Sequence, residues 1–566
     1  MPGLRTRSLV VLVPVFLAAA LPVAGDSAGS AAAEGLGLGQ VTCVAQADPS
    51  SEDSTYSASC APGKALLGAA SVAVSSDGRN VYVAAADASA LMAYSRSGAL
   101  GQLAPIGCVS NNGTNGLDGT KHSCADGDAL KGAYDIALSP DGKNVYVAAS
   151  DSGGIAVFTR DPATGKIVQT GCVRGVSTCV GARALAGAAA VVVSPDGRNV
   201  YLASYGADAV VMFQRDPATG ALKGLGCISD DGTDRQCASG NALRGAGALA
   251  MTKDGRWLYV AAASSNSVLT FERDPATGLL TQRGCVLDHA PARGSCVSGN
   301  ALLSPWALAL APDDRTLFVV SYDSDAIDVF ARDATTGKIA ERGCLSDTTY
   351  SDNAKDGCVH TVPLVSPTDV AVSPDGHRVY VTNEAGLTLL ERDPVTGGLI
   401  RAGCALSRGY DYDPTDKQFE QCIVGHGIEG AAGVAVSGDG RSVYVAADTS
   451  NALAVFTPAA SLRLRRSLSE HGMVAVQVSC PAEVDGSCGG RLTLTRPDTG
   501  RAAAEPQSFD VAPGRARTVF LRLTAAALKS PTTRLLLGAT DRRPHVAPIE
   551  QHVSIRRPLP RHRRRG

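Results

Sequence analysis

One short phrase recurs seven times along the chain, and this repetition limits the fold more than any other feature. Each copy is an apolar run followed by a tight turn, most often Ser-Pro-Asp-Gly. The copies begin at Val72, Ile136, Val191, Leu249, Leu308, Val370 and Val434, in steps of 55 to 64 residues. Such a period indicates one small structural unit that stacks against its neighbours, and it accounts for a chain of 566 residues, too long for one ordinary core.

Each unit contains four candidate strands. In the second unit an apolar run at 136–138 precedes the Ser-Pro-Asp-Gly turn, in which proline presets φ and glycine tolerates a positive φ. Strands follow at 145–148 and 155–158, and an Arg-Asp-Pro-Ala-Thr-Gly turn at 160–165 leads into a fourth strand that ends in Gly-Cys. No helical period competes with this pattern. We therefore predict an all-β, seven-bladed β-propeller over residues 38–457.

The two ends of the propeller region complement each other. The seventh unit has three strands and then leaves the pattern at Thr457 and Pro458. The segment 38–44 resembles the segment 100–109, which is the fourth strand of the first unit. We therefore predict that the N-terminal strand closes the last blade, which would protect the strand edges of the ring.

The cysteines follow the same repeat, with one pair in each loop between an outermost strand and the next innermost strand. We predict that Cys43 pairs with Cys60, Cys108 with Cys124, Cys172 with Cys179, Cys227 with Cys237, Cys285 with Cys296, Cys344 with Cys358 and Cys404 with Cys422, and that Cys480 pairs with Cys488 as the staple of a later hairpin. Zinc is the alternative, although one pair per loop lacks four converging ligands. Each short-loop disulfide would add about 2–3 kcal/mol by the chain-entropy model.

The N-terminus has the features of a secretory signal peptide. Arg5 and Arg7 precede an apolar run at 9–21, and small residues near 23–25 or 31–33 suit signal peptidase. We assign 1–33 to the signal peptide and a short linker. The alternative is a membrane anchor, for which this run is short. A secreted, extracellular or cell-surface location would let the disulfides persist.

The composition changes after Pro458. Residues 459–566 hold 19 Lys and Arg against 8 Asp and Glu, whereas the preceding residues hold 33 against 46, so the overall net charge of −2 conceals two opposite regions. Alternating runs at 473–478, 491–495, 518–523 and 534–537 predict a small β-sandwich over 461–555. We predict that residues 556–566 form a disordered basic tail. This tail would either contact an anionic cell surface or simply increase solubility. We expect no nucleic-acid partner.

The repeated phrases resemble those of a known family. Val-Ala-Val-Ser-Pro-Asp-Gly, Val-Tyr-Val-Ala, the literal Tyr-Val-Thr-Asn at 380–383 and the Arg-Asp-Pro-Ala-Thr-Gly turns are similar to the YVTN and lactonase-like seven-bladed propellers. That family includes phosphogluconolactonase-like and carboxymuconate-cyclase-like enzymes, so the resemblance implies this fold and raises a lactonase or cyclase activity as an alternative. The residues after 458 resemble a β-sandwich appended to secreted actinobacterial proteins.

Two aspartates break the repeat near the expected channel. Asp135 and Asp369 stand where most units have Ser, Ala or Gly. Paired carboxylates there could bind a cation or act as acid and base, whereas the alternative is that each accepts a local backbone N–H. Four histidines fall in the cysteine-bearing loops, and His360 and His426 are the candidate catalytic partners; the alternative is a solvated loop residue. The loop histidines are His122, His289, His360 and His426.

An aromatic and acidic rim is expected at the mouth of the channel. Its candidate ligand-binding residues are Tyr134, Tyr205, Trp306, Tyr322 and Glu384. Such a rim suits a sugar or another polar small molecule, and ordinary rim packing is the alternative. No cofactor is required by any motif. A weak calcium candidate is the acidic stretch with Asp230, Asp231 and Asp234, which lacks EF-hand spacing and equally fits a solvated turn.

These observations predict a binding or interaction module outside the cell. No phosphate loop, zinc-protease helix or dinucleotide fingerprint is present, and the Gly-x-Ser-x-Gly match at 25–29 lies in the signal region. We expect a monomer whose partner is a small molecule or an extracellular protein or polysaccharide. The alternative is a lactonase-like or carboxymuconate-cyclase-like enzyme with its site at the channel mouth.

Overall fold

The computed structural model describes residues 38–46, 59–98, 100–114, 123–175, 179–230, 232, 236–289, 296–347, 357–361, 363–393, 395–407, 410–413, 418–458, 461–464, 473–480, 487–496, 501–513, 515–525, 527, 532–541 and 549–556. The predicted signal peptide, the Gly-x-Ser-x-Gly match and residues 557–566 of the predicted tail lie outside these residues. Within them, no helix is long and apolar enough to cross a membrane.

Seven antiparallel sheets form the blades of a propeller in the part of the chain just defined, as the repeats predicted. The inner strands are Ala69–Val74, Ala133–Leu138, Ala188–Val193, Ala246–Met251, Pro305–Leu310, Pro367–Val372 and Ala431–Val436, and they number blades 1 to 7. The second strands are Asn80–Ala85, Asn144–Ala149, Asn199–Ser204, Trp257–Ala262, Thr316–Ser321, Arg378–Asn383 and Val443–Ala447. The third strands are Ala90–Ser97, Gly154–Arg160, Ala209–Arg215, Ser267–Arg273, Ala326–Arg332, Gly386–Arg392 and Ala452–Pro458.

The outer strands carry a further element that the repeats did not predict. They are Gln102–Ser110, Ile167–Arg174, Leu222–Asp230, Leu280–Asp288, Ile339–Ser346, Leu399–Leu406 and Leu38–Ala45. A short parallel strand follows outside most of them, namely Ala125–Asp126, Ala238–Gly240, Cys296–Gly299, Val359–His360, Ile423–Val424 and Ala61–Pro62, and blade 2 has a parallel bridge between Val173 and Val180.

All 16 cysteines form the predicted disulfides. In the propeller Cys43 is bonded to Cys60, Cys108 to Cys124, Cys172 to Cys179, Cys227 to Cys237, Cys285 to Cys296, Cys344 to Cys358 and Cys404 to Cys422, and Cys480 is bonded to Cys488 beyond it. The zinc alternative is therefore wrong, because disulfide-bonded cysteines are not thiolate ligands.

The placement of both cysteines of a pair in one loop needs correction. The first cysteine of each propeller pair lies within the outer strand, as Cys108 does in Gln102–Ser110. The second cysteine comes directly before the added parallel segment or begins it. These second cysteines are Cys60, Cys124, Cys179, Cys237, Cys296, Cys358 and Cys422. Each disulfide thus fastens the added segment to the edge of its blade, which the strand pattern alone did not indicate because the added segments are so short.

The ring closes as predicted. The strand Leu38–Ala45 pairs antiparallel with Ala452–Pro458, so the first described strand completes blade 7. A reciprocal pair of hydrogen bonds fixes this strand, because the Gln40 amide donates to the His426 carbonyl at 2.7 Å and accepts from the His426 N–H at 2.9 Å. Neighbouring inner strands contact one another around the ring, and buried residues of adjacent blades share hydrophobic clusters.

Tight turns, most of which contain a glycine, shape the blades at the end opposite the mouth. In blade 2 the Ser139 hydroxyl donates to Asp141 at 2.5 Å, and the N–H of Lys143 donates to the same carboxylate oxygen at 3.1 Å. Gly142 has φ +66°, a conformation that favours glycine, and this allows the chain to turn into the second strand.

The turn aspartates also join neighbouring blades, a role that we did not predict. Arg160 of blade 2 is 4 % exposed, and its guanidinium contacts Asp77 of blade 1 at 2.8 Å and the Tyr82 hydroxyl at 2.8 Å. Equivalent ion pairs between blades are Arg215–Asp141, Arg273–Asp196, Arg392–Asp313 and Arg96–Asp439. We call these contacts the seams. At the junction of blades 6 and 7 the arginine position of the third strand holds Pro458.

The C-terminal residues form two further antiparallel sheets. One contains Ser461–Leu464, Met473–Ser479 and Ala516–Arg522, and the other contains Gln507–Val511, Cys488–Thr495, Thr532–Asp541 and Ile549–Arg556. Buried residues of both sheets belong to one cluster, which is the arrangement of a small β-sandwich, and this cluster is continuous with Phe456 of blade 7. Cys480 directly follows the strand Met473–Ser479, and Cys488 begins a strand of the other sheet, so the prediction that their disulfide staples a hairpin is wrong.

Candidate functional site

A bulge in every inner strand creates the side-chain ring at the channel mouth. In blade 2 Ala133 pairs with Ala149 and Asp135 pairs with Ala148, which leaves Tyr134 as the extra residue. The same shift occurs in all seven inner strands that the structure describes. Because a bulge re-aims a side chain, the bulged residue of each blade lines one central cavity. These residues are Ala70, Tyr134, Ala189, Gly247, Trp306, Thr368 and Ala432.

The cavity exists because most blades place small residues at the bulge and at the next position. Its volume is about 620 Å³. Alanine or glycine at four of the seven bulges leaves the channel open, whereas Tyr134 and Trp306 project large side chains into it. Asp135 and Asp369 occupy the position after the bulge and also line the cavity. They lie inside the inner strands, which begin three residues earlier than the sequence indicated.

Three of the predicted rim residues form an aromatic arc. The Trp306 ring lies 5.8 Å from the Tyr322 ring and 6.4 Å from the Tyr205 ring, measured between centroids. The Tyr322 hydroxyl donates a hydrogen bond to Glu384 at 2.5 Å. The arc therefore runs across blades 3, 5 and 6 and ends on a carboxylate, and it brings four of the five predicted ligand-binding residues together.

The fifth rim residue reaches the same arc from across the ring. Tyr134 belongs to blade 2 and interacts with the Trp306 indole of blade 5, whose N–H is the donor and the phenol oxygen the acceptor. Burial raises the pKa of Tyr134 to about 12, and the charges of Asp135, Asp448 and Asp369 add to this effect. The two large bulge residues thus meet within the channel.

Asp135 and Asp369 each bridge two blades through backbone N–H groups. Asp135 accepts from the N–H of Val191 at 2.9 Å, and Asp369 accepts from the N–H of Val434 at 2.8 Å. Each carboxylate therefore accepts a hydrogen bond from the inner strand of the following blade. The alternative that we considered for them, acceptance of a local backbone N–H, thus extends to the neighbouring blade. Both line the cavity wall and remain part of the site.

The pKa values of these two aspartates are shifted toward neutral pH. Burial raises the pKa of Asp135 to about 6, although hydrogen bonds from Val191, Ile136 and Ser71 oppose the shift. Burial likewise raises the pKa of Asp369 to about 7, and the charge of Asp135 adds to it. A carboxyl group that titrates near neutral pH can exchange protons under physiological conditions.

Three further carboxylates, which the sequence did not lead us to predict, also line the cavity. They are Asp87, Glu429 and Asp448. Asp448 follows the second strand of blade 7, the position that Glu384 holds in blade 6 and Tyr322 in blade 5. Burial raises the pKa of Asp448, and the charges of Asp87 and Glu384 contribute. An alignment of the seven second strands would have identified Asp448, whereas Asp87 and Glu429 lie in less regular loops.

The loop histidines do not join this cavity. His360 is exposed on the added strand of blade 5, and the backbone of His426 is hydrogen-bonded to the closing strand. His289 is partnered by Asp288 at 3.2 Å, and His122 lies outside the described residues. Since no histidine is among the described residues that line the cavity, the structure does not bring a histidine together with Asp135 or Asp369.

The calcium candidate is only partly described. Asp230 is 8 % exposed and accepts the N–H of Leu243 at 2.9 Å, which holds the loop into blade 4. Asp231 and Asp234 lie outside the described residues, so the calcium hypothesis stays a prediction. The described clusters with converging potential metal ligands are Asp128 with Cys172 and Cys179, and Asp328 with Glu341 and Cys344. Both include disulfide-bonded cysteines, which are not thiolate ligands.

A match to one family model supports the fold. Residues 172–299 and 236–349 match the family model described as a lactonase, 7-bladed beta-propeller. No curated protein matches the chain. A periplasmic gluconolactonase from Pseudomonas aeruginosa is 22 % identical, with 59 % of this chain and 84 % of that chain covered and a TM-score of 0.43. A candidate 6-phosphogluconolactonase from Bacteroides fragilis is 18 % identical, with coverages of 59 % and 82 % and a TM-score of 0.42.

The family match spans the outer strand of blade 2 through blade 5, and the C-terminal sandwich lies outside it. The propeller of this chain is therefore similar to the lactonase-like seven-bladed β-propellers, the family that its repeated phrases resemble.

Proposed function

We propose that this protein is an exported binding module that takes a polar small molecule at its channel mouth. The observation that carries the proposal is the convergence of repeat-breaking side chains on one cavity. Tyr134, Trp306, Tyr322 and Glu384 come from three blades and line the same space. Alanine or glycine serves the bulge position in four other blades, so large side chains are not needed to build a blade.

The proposed location outside the cytoplasm is supported by the disulfides. Eight bonds involve every cysteine of the chain, and they close loops of 7 to 18 residues in sequence separation. Disulfides at this density form and persist in an oxidising compartment.

The two tryptophans make the binding proposal testable. Trp306 at the mouth is 36 % exposed, whereas Trp257 is 2 % exposed. Titration with a panel of neutral, anionic and cationic polar compounds should give a saturable change in tryptophan fluorescence with at least one class. Calorimetry should then show that Trp306→Ala abolishes this binding, while Val168→Ala on the exposed outer strand of blade 2 leaves it intact. Binding that survives Trp306→Ala, or an entirely inert panel, would overturn the proposal.

A lactonase-like enzyme is the second candidate, and one observation favours it. Asp135 and Asp369 line the cavity with pKa values of about 6 and about 7, which suit a general base at neutral pH. The test is hydrolysis of glucono-δ-lactone above its spontaneous rate, with Asp135→Ala and Asp369→Ala as controls. Hydrolysis that both substitutions abolish would replace the binding proposal with a catalytic one.

A further inference from the structure

We propose that the ligand of the channel mouth is an organic cation, a small molecule that carries an ammonium group. This inference rests on the binding function proposed above, since it names the ligand class of the same site. Six carboxylates line the cavity, and none of its described lining residues is Lys, Arg or His. An anionic ligand such as a phosphorylated sugar would meet repulsion there, with no cationic side chain among the described lining residues to compensate it.

The aspartates elsewhere in the propeller lie in a different electrostatic setting. Each seam supplies its aspartate with a buried arginine of the next blade, as Arg160 does for Asp77 at 2.8 Å. At the mouth Asp448 accepts a hydrogen bond from Thr449, whereas the charged groups that act on it, Asp87 and Glu384, are themselves acidic. A bound cation would provide the counter-charge that the chain itself supplies at the seams.

The aromatic arc points to an organic cation. The Trp306 and Tyr322 rings are tilted by 45° at 5.8 Å, and Tyr205 extends the arc at a tilt of 56°. Such rings present electron-rich faces that attract ammonium groups, quaternary ones included. Glu384 lies at the end of the arc, hydrogen-bonded to Tyr322, so aromatic faces and a carboxylate are available to one ligand.

The spacing of the carboxylates argues against a bare metal ion. None of the described groups whose potential ligand atoms all lie within 4.8 Å of one another contains a carboxylate of the cavity. Calcium requires six to eight oxygen ligands that converge on one point. The cavity volume of about 620 Å³ instead falls in the usual range for small-molecule sites, which leaves room for a polar or alkyl body beside the charged group.

Matched compounds that differ in charge test the inference in the full-length protein. Choline and 3,3-dimethylbutan-1-ol have nearly the same shape, and glucosamine, glucose and gluconate share a sugar skeleton. Spermidine represents linear polyamines and calcium chloride represents a metal ion. By calorimetry we expect at least one of the ammonium compounds to bind about tenfold or more tightly than its neutral counterpart, with gluconate the weakest of the sugars.

Charge-removing variants locate the site. Glu384→Gln and Asp448→Asn should each weaken binding of the preferred cation by about fivefold or more, because each removes one carboxylate of the cavity. Glu391→Gln is the matched control for Glu384→Gln. Glu391 is an exposed carboxylate of blade 6, as Glu384 is, but it lies outside the cavity. Far-ultraviolet circular dichroism verifies that each variant is folded.

The outcomes separate this inference from the function on which it rests. Equal binding of glucose and glucosamine, lost in Trp306→Ala, would overturn the cation inference and leave the binding function standing. Calcium binding that Glu384→Gln and Asp448→Asn abolish, without binding of any ammonium compound, would also overturn the inference. Absence of binding by every compound would overturn the inference together with the binding function.

Discussion

The seams and the channel mouth use the same residue type in opposite electrostatic settings. At the seams the turn aspartates accept hydrogen bonds from serine and arginine. Burial alone would raise the pKa of Asp77, but hydrogen bonds from Ser75 and Arg160 outweigh it and hold the pKa at about 2. At the mouth burial prevails, and the pKa rises to about 6 for Asp135 and about 7 for Asp369.

This contrast separates the residues that hold the blades together from the residues that could bind a ligand. Among the described residues the seam ion pairs recur at five of the seven blade junctions, where an arginine of one blade pairs with a turn aspartate of the preceding blade. The mouth residues vary from blade to blade because a single cavity lies at the centre of all seven blades. Seam substitutions should therefore affect stability, and mouth substitutions should affect binding.

Removal of a seam arginine should have the largest effect. Arg160→Ala leaves Asp77 without its buried partner and removes the guanidinium from the Tyr82 hydroxyl. We expect a loss of about 3 kcal/mol in the free energy of unfolding, measured by urea denaturation without reducing agent. The control is Arg256→Ala, because Arg256 is exposed and pairs with Glu272 at the surface, where a loss below about 1 kcal/mol is expected. Equal losses in both variants would contradict the assignment of the seams.

The two regions should respond to pH in opposite directions. The folded-state pKa of Asp77 is lowered, so its stabilising contribution is present above about pH 4 and is lost as pH falls toward 2. The folded-state pKa of Asp369 is raised, so its contribution is present below about pH 4 and is lost as pH rises through 7. Unfolding free energies of Asp77→Asn and Asp369→Asn relative to the unsubstituted protein, measured from pH 3 to 8, check these signs.

In that series the Asp77→Asn deficit should grow as pH rises above 3, whereas the Asp369→Asn deficit should shrink between about pH 4 and pH 7. At pH 4 the latter deficit should be about 1 kcal/mol, since the asparagine oxygen replaces only one of the two Asp369 oxygens that accept backbone N–H groups. Deficits that change with pH in the same direction would remove the electrostatic distinction between the regions.

An exposed mouth residue should have the smallest effect on stability. Tyr205 is 41 % exposed, and its ring contributes to the arc 6.4 Å from Trp306. Tyr205→Ala should change the free energy of unfolding by less than about 0.5 kcal/mol. The same variant should weaken binding of the preferred ammonium compound, measured by calorimetry. A large stability loss with unchanged binding would indicate that the arc is ordinary rim packing.

Local repetition explains why the fold was predictable. Turn chemistry is encoded within a few residues, and the similarity of segments 38–44 and 100–109 identified the closing strand. The cysteine pairs were predictable because each pair is close in sequence and recurs once in every unit. The opening residues 1–37 and the tail after Arg556 lie outside the described residues, so the predicted signal peptide and tail stay predictions.

Contacts between blades were less predictable because they join distant parts of the chain. The aspartate of each Ser-Pro-Asp-Gly phrase has a sufficient local role in its turn, and its second partner, as with Asp77 and Arg160, lies 83 residues away. The bulge at Tyr134 could likewise not be predicted, because the alternation of apolar residues does not indicate a shift in strand register. The repeat-breaking residues identified most of the mouth, whereas Asp448 required comparison of equivalent positions after the second strands.

Proton release on ligand binding tests the central claim most directly, because the claim is that the mouth carboxylates bind the ammonium group of a ligand. The titratable groups that face the cavity are Asp87, Tyr134, Asp135, Tyr322, Asp369, Glu384, Glu429 and Asp448. A bound cation should lower the pKa of Asp135 and Asp369 and expel protons near pH 6.5. Calorimetry of the preferred ammonium compound in buffers of different ionisation enthalpy should show proton release at about pH 6.5 that disappears at about pH 8.5. Proton uptake, or binding without proton exchange at the lower pH, would contradict the account.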